Sequence, residues 1–391
     1  MSIIQIRKYL NGFPLFSMDY NKLKIGSGEK IIISDIWSFW DYILKRYIEK
    51  TTKTNADKLK KEKVLFSFLE QAKNFYESAE NSPVKSQPLL YYYAFLNLSK
   101  IAINISRSDN VLFKGYIHGI SEDYQSEFSK SSVTIKTSNS GDIQVAHEML
   151  RLFDLSKAPS YNSGPKSLNI RDILSHCIGI HRSYSEIYKK PEFFIKIIDH
   201  TLFRKGKILY FRGDLGCLDE IDAEKIVKAG YNILKFKDDI CHSPSIQNGS
   251  NVHWSLDTGA TYPGLKEGHY YYICSITMRY SKDPTHSEYY NLSKEIRKDG
   301  VWYYIGSNGY TIYISKCMDP SFRYSQESII YMMMFYLGSI TRYRPHLFDS
   351  LFSNKEQWLV SEFLKTQPKQ YLYLLTAQIL GQQVTKAYAM F

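Results

Sequence analysis

The chain has 391 residues, of which 44% are hydrophobic and 23% charged, a length beyond one ordinary core and a balance that excludes a largely disordered chain. A formal net charge of +11 admits a nucleic-acid surface, because clustered Lys and Arg bind phosphate by releasing counterions. A mixture rich in Lys, Ile, Asn and Tyr also follows from AT-rich coding, and the 33 tyrosines suit base stacking and half-buried packing alike.

Along the chain, Met1 to Lys8 places a short apolar run before its first charges, the reverse of a secretory signal. No run of about 18 apolar residues follows, so we expect a cytoplasmic protein without a membrane span. The first thirty residues read as an irregular or β-containing lead-in. From Ser34, Ile36, Trp37, Trp40, Ile43, Leu44 and Ile48 recur at helical steps. The Lys-rich stretch from Lys53 to Lys63 reads as a solvated connector. A second helix is expected from about Val64 to Ala79, and a third, strongly apolar one from Leu89 to about Ile105 after the turn between Pro83 and Pro88.

Val133, Ile135 and Thr137 alternate with polar residues, Asn139-Ser140-Gly141-Asp142 makes a turn, and Ile143 and Val145 resume the alternation, which predicts a hairpin. After Pro159, Gly164 and Pro165, a helix with Ser167 or Asn169 as cap carries Ile170, Ile173, Leu174 and Cys177. Phe193 to Phe211 predicts two strands around Arg204-Lys205-Gly206-Lys207, and Asp219 to Lys237 a helix with an acidic start. Tyr270 to Tyr280 and Val301 to Ser315 read as strands, the latter a hairpin turning at Gly306-Ser307-Asn308-Gly309. From Phe322 the chain is expected to be helical to its end, broken at Pro345 and Pro368. The fold class is therefore α+β and predominantly helical: residues 1–190 helical with a small hairpin, 191–320 an inserted mixed α+β block, and 321–391 helices packing back on the first region.

Cys177, Cys217, Cys241, Cys274 and Cys317 are an odd set with no close pair, which predicts free, mostly buried thiols and no zinc site. A phosphate-binding loop, a serine-nucleophile elbow and a His-Glu-x-x-His pair are all missing, which argues against an ATPase, a serine hydrolase and a zinc enzyme. No cofactor and no metal are expected. Asp238-Asp239 with His242 reads as a solvated loop.

Three stretches carry a resemblance to a known family: Pro88-Leu89-Leu90-Tyr91-Tyr92-Tyr93-Ala94-Phe95-Leu96-Asn97-Leu98-Ser99-Lys100 followed by His118-Gly119, then Ser167 to Tyr188, then Arg342-Tyr343-Arg344-Pro345 and the helices after it. In this order they resemble the YaaC-like family of bacterial proteins. The proline associated with the second stretch is replaced here by Cys177-Ile178-Gly179. The resemblance implies a helical core related to HEPN bundles, built from the two ends of the chain, which commonly dimerises. It brings an association with prokaryotic antiviral systems and no established reaction.

Within that frame, Arg171 and His176 fit the Arg-x4-6-His spacing of HEPN ribonucleases. A His can move a proton at the 2′-hydroxyl or leaving oxygen, while an Arg stabilises charge on the phosphate. The competing structural reading has Arg171 on the helix surface and His176 on a core face. Lys100, Arg342 and Arg344 are the candidate nucleic-acid or anion ligands, against a snorkelling Lys and helix-end arginines. Asn97 reads as a satisfied polar group in the bundle, and His118-Gly119 as a turn. The expected function is a non-catalytic or conditionally active assembly subunit of an antiviral system, a homodimer that binds protein partners or RNA or DNA. Its rival is a metal-independent RNA endonuclease using Arg171 and His176.

Overall fold

Asp35 opens the first helix by accepting the backbone N–H groups of Trp37 and Ser38 at 3.0 and 3.2 Å, satisfying donors that a helix start leaves orphaned. The computed structural model describes residues 3–5, 23, 25, 30–107, 114–137, 141–154, 158–159, 163–247, 251–257, 262, 264–279, 283–306, 309–317 and 319–387. The fold is mixed α+β, about half helical with several sheets. It divides into two compact units, Tyr20–Glu192 with Tyr324–Phe391, and Met1–Asp19 with Phe193–Arg323. Most of the expected lead-in, residues 6–22, lies outside the described residues, as do the turn residues 139–140 and 307–308.

In the helical unit, α1 (Ile36–Thr51), α2 (Asn55–Glu80) and α3 (Gln87–Ser106) follow one another. The stretch read as a connector is the opening of α2. Thr54 caps it by accepting the Asp57 N–H at 3.2 Å, and Lys is a good helix former whose charge stays solvated on an exposed face. α3 packs on α2, on α9 (Gln326–Tyr343) and on α11 (Gln357–Leu380). Phe95 stacks on Tyr371 with centroids 4.0 Å apart, and Leu98, Ile101, Tyr331 and Leu337 are fully buried beside them.

Pro345 opens a separate short helix, α10 (Pro345–Leu351), but Pro368 lies inside α11 without ending it. An interior proline costs about 3 kcal/mol. Burying Phe363, Leu364, Tyr371, Leu372 and Leu375 on both sides of it returns roughly 1.5–3 kcal/mol per side chain, so the helix continues. Past Gly381 the chain forms β17 (Val384–Lys386), which pairs in parallel with β2 (Ile31–Ile33).

The hairpin expected over 133–145 does not form. β5 (Ser132–Ile135) pairs antiparallel with β4 (Ile120–Asp123) and β7 (Lys166–Asn169), while β6 (Ile143–Gln144) pairs in parallel with β3 (Tyr116–Ile117). Val145 already begins α4 (Val145–Phe153). Alternation fixes which face of a strand is buried, not which strand is its neighbour. Asp154, just past α4, accepts from Ser325 N (2.7 Å), Ser325 Oγ (2.8 Å) and Ser328 Oγ (2.6 Å), fastening the start of α9. Asn169 caps α5 (Ile170–Ser175), and α6 (His181–Tyr188) follows.

The sheet unit holds a seven-stranded antiparallel sheet in the order β1-β9-β10-β14-β11-β12-β13. Its members are β1 (Ile3–Gln5), β9 (Asp199–Lys205), β10 (Ile208–Gly216), β11 (Ile233–Lys237), β12 (Ile240–Gln247), β13 (Asn251–Leu256) and β14 (Tyr270–Thr277). The expected turn at Gly206 is present with φ +61. A three-stranded sheet joins β8 (Phe194–Ile197) to the hairpin of β15 (Val301–Gly306) and β16 (Gly309–Ser315). The helix expected to run to Lys237 stops early: α7 (Glu220–Lys228) ends before Gly230 at φ +85, and β11 takes up the rest. Helix α8 (His286–Lys298), opened by a Thr285/Glu288 capping box, was not read from the sequence, nor were β12 and β13.

Candidate anion-binding site

Lys100 sits on the side of α3 that faces α2, with its ammonium 4.9 Å from the Phe68 ring and 5.8 Å from that of Tyr116. Its Nζ donates to Asn97 Oδ1 at 3.0 Å, and the Asn97 amide donates to Gln71 Oε1 at 3.3 Å. Asn97 is thus the satisfied polar group that an apolar helix calls for. Burial lowers the pKa of Lys100, because aromatic faces replace only part of the hydration lost. Asn104 Nδ2 steadies the arrangement by donating to the Lys100 carbonyl (2.8 Å) and to the Tyr116 hydroxyl (2.6 Å).

The pairing of β3 with β6 brings the next residues back to α3. Gly119 adopts φ +69, and a Cβ there would stand 2.7 Å from Gln144 Cβ, so only glycine fits both the conformation and the space. The His118 carbonyl accepts the Ala146 N–H at 3.0 Å. The turn read from the sequence is therefore real, but the imidazole does more than turn. His118 reaches solvent, its Nδ1 lies 2.5 Å from the hydroxyl of buried Tyr92, and its ring packs at 5.5 Å from Tyr92 and 6.4 Å from Phe335.

Arg342, in the last turn of α9, donates from Nη1 to the Tyr93 hydroxyl at 2.9 Å and lies 4.9 Å over Tyr343. Tyr93 in turn stacks on Phe75 at 5.3 Å. The His118 pKa is lowered by burial first, then by the positive charges of Lys100 and Arg342, with Glu122 pulling the other way. Basic side chains from α3 and α9 thus both act on a third in the β3–β4 turn, among aromatic walls. Among the described residues, no carboxylate forms an ion pair with Lys100, His118 or Arg342. Such a cluster favours an anion, and the faces of Phe68, Tyr116 and Tyr93 add surfaces that stack on bases.

Of the residues singled out from the sequence, Lys100 and Arg342 share this environment. Arg344 stands apart, its guanidinium 5.7 Å over Tyr124, whose hydroxyl donates to Glu122 Oε1 at 2.7 Å. The contact of the His118 ring with Tyr92 was not read from the sequence, although its place after the Tyr-rich helix motif was the available signal.

Arg171 and His176 differ in burial. Arg171 is exposed, and its charge acts on Tyr184 and Tyr188. His176 is only 6% exposed. Its Nδ1 lies 2.8 Å from the Asp172 carbonyl and 2.9 Å from Ser175 Oγ, and its own carbonyl accepts from Gln326 Nε2 at 2.9 Å. Within one chain, the pair does not present two side chains to one open surface.

All five cysteines are free, four of them buried and Cys217 exposed. Among the described residues, no group of His, Cys, Asp and Glu could hold a metal ion, and no helix is long and apolar enough to cross a membrane. No curated protein and no solved structure matches the chain. The family model described as YaaC-like protein matches residues 32–379, a span that contains every side chain of the basic cluster, and the chain belongs to the YaaC-like family.

Proposed function

We propose that the protein is a non-catalytic binding subunit that holds the phosphates of a nucleic acid at Lys100, His118 and Arg342. The observation that carries this reading is the convergence of three basic side chains on an aromatic-walled surface of the helical unit, with no carboxylate ion pair to them among the described residues. Lysine supplies a point charge, arginine a planar fork, and the tyrosine and phenylalanine faces accept bases with little sequence preference. In this reading α1, α2, α3, α9 and α11 form a HEPN-like bundle that pairs with a second copy inside a larger assembly. Family membership and the length of the buried helices support it.

The test is fluorescence anisotropy with a labelled single-stranded oligonucleotide over a salt series. Wild type should bind with an affinity that falls as salt rises. Replacing Lys100 or Arg342 by Ala should reduce the slope of log affinity against log salt by about 0.7 each. Salt-independent binding, or slopes that both variants leave unchanged, would remove the proposal. Light scattering after size exclusion checks the dimer, and a monomer at every concentration removes that part alone.

A further inference from the structure

The seven-stranded sheet ends at β13, and among the described residues no strand pairs with its outer side. One hydrogen bond tells which of its backbone groups face outward. The Asp257 N–H donates to the Cys241 carbonyl at 2.8 Å, and the ladder runs on in unbroken register through Ser243 with Ser255 and Ser245 with His253. Hydrogen-bonded and non-hydrogen-bonded pairs alternate along an antiparallel ladder. His253 and Ser255 therefore direct their N–H and C=O groups to β12, whereas Val252, Trp254 and Leu256 turn theirs away from it. Pro244 fits the same pattern: it stands opposite Trp254, where β13 has no use for the N–H that proline lacks.

Such an outward row is a template for another strand, and sheets blunt it with charge, proline, a bulge or a very short edge. The opposite edge, β1, is only three residues long. β13 has none of these devices. It is six residues long and reads Asn-Val-His-Trp-Ser-Leu, with no Lys, Arg, Asp, Glu or Pro, and its pairing with β12 shifts nowhere. Beside the edge, the side chains of one face form an apolar row. Leu256 is 55% and Ile246 52% exposed, and Val252, opposite Ile246, is half-buried. Trp254 anchors the row, edge-on to Tyr270 with centroids 5.4 Å apart.

We propose that β13 pairs with β13 of a second copy of this chain, antiparallel about a twofold axis through Trp254. The strand's own pattern identifies the occupant. With Trp254 opposite its counterpart, Val252 meets the partner's Leu256, and every outward N–H and C=O of the three residues finds a mate. Sliding one strand by a single residue sets outward groups against inward ones, and sliding it by two leaves some of them unpaired. The same register lays Leu256 on Val252 and so covers the apolar row from both sides. Charge points the same way. Two chains of net charge +11 repel each other, and a strand without charged side chains adds nothing to that repulsion where they touch. The contact is isologous and closes at two copies. One strand pair is smaller than the roughly 1,200 Å² of a standard interface, so the dimer dissociates in the micromolar range.

Cross-strand disulfides in the full chain read the register directly. His253 and the partner's Ser255 form a non-hydrogen-bonded pair, with Cα atoms about 4.5 Å apart and within disulfide reach. Two copies of His253, or of Ser255, lie on a diagonal of about 7–8 Å, outside it. The one exposed native thiol is first removed by Cys217→Ser. Mixing His253→Cys and Ser255→Cys chains under mild oxidation should then give roughly tenfold more disulfide-linked dimer than either variant alone. Equal yields, or no dimer in the mixture, overturn the proposal. Wild type gives a second reading that needs no substitution. Hydrogen exchange in the peptide 251–257 should quicken on dilution from about 100 μM to about 1 μM, as the outward N–H groups lose their partners. Exchange that is the same at both concentrations overturns the edge contact. A dimer joined only through the helical unit gives neither signal, so these outcomes stand apart from those of the bundle pairing.

Discussion

His118 is where the charge balance of the helical unit can be read most directly. Burial, Lys100 and Arg342 together hold its imidazole below the ordinary value of 6.5, and Glu122 offsets part of that. Between 6.5 and the lower folded midpoint the unfolded chain binds more protons than the folded one. This group therefore withdraws stability as pH falls through that window. A bound phosphate neutralises the two cationic neighbours, so the imidazole takes up a proton on binding and oligonucleotide affinity should be greater at roughly pH 5.5 than at pH 7.5. Proton NMR of His118 in Lys100→Met should show its midpoint rising only part of the way to 6.5, since burial, the largest cause, stays. An unmoved midpoint would place Lys100 outside the cluster. The neighbouring glycine gives a cleaner stability test. Gly119→Ala combines a positive φ with a 2.7 Å approach to Gln144 and should cost more than about 2 kcal/mol in urea unfolding. Residue chemistry was half legible here. Lys100 and Arg342 stood out by type and helix position, but nothing in the spacing of His118 says that Tyr92, 26 residues earlier, would hold its ring.

At the scale of elements, periodicity located α1 and α3 to within two or three residues because their buried faces are continuous. It failed where a local signal had a longer-range competitor. The Pro368 stop signal is overridden by apolar side chains on either side, so its helix-breaking cost is still present in the fold. Pro368→Ala restores an N–H that can reach the Leu364 carbonyl and should raise stability by up to about 3 kcal/mol, seen as a higher melting temperature; a lower one would mean that the ring itself packs better than a regular turn. Asp154 makes the opposite case, an unremarkable residue after a short helix that fastens Ser325 and Ser328 from another end of the sequence. Asp154→Ala leaves those buried donors without their acceptor and should cost about 3 kcal/mol in urea unfolding followed by far-ultraviolet circular dichroism. The helix after Phe322 was legible in the sequence, whereas the partner that fastens its start, 171 residues away, was not.

For the molecule as a whole, the two units draw on the chain in different ways. The helical unit is assembled from residues before and after the sheet block, and α3 reaches both α9 and α11 across that interruption. The sheet unit recruits β1 from the amino terminus onto β9, a pairing of residues about 200 positions apart (Ile3 with Lys205) that no local pattern announces. Closing so long a loop costs little more entropy than a loop half its length, about 0.6 kcal/mol per doubling, so both units can be discontinuous without losing stability. The consequence is testable by excision. Replacing 193–323 with a flexible Gly/Ser linker keeps every element of the helical unit, including all three basic side chains of the candidate site. The Phe193 carbonyl accepts the Lys316 N–H at 2.6 Å, and the segment ends a few residues later at Arg323, so a linker of about ten residues, up to roughly 35 Å long when extended, should suffice. The shortened chain should remain helical by circular dichroism, and it should keep the oligonucleotide affinity and salt slope of the full protein, because those depend on phosphate contacts within this unit. Loss of binding in a chain that still melts cooperatively would move the nucleic-acid site to the sheet unit, and leave the cluster around His118 as a means of holding α3 to α9.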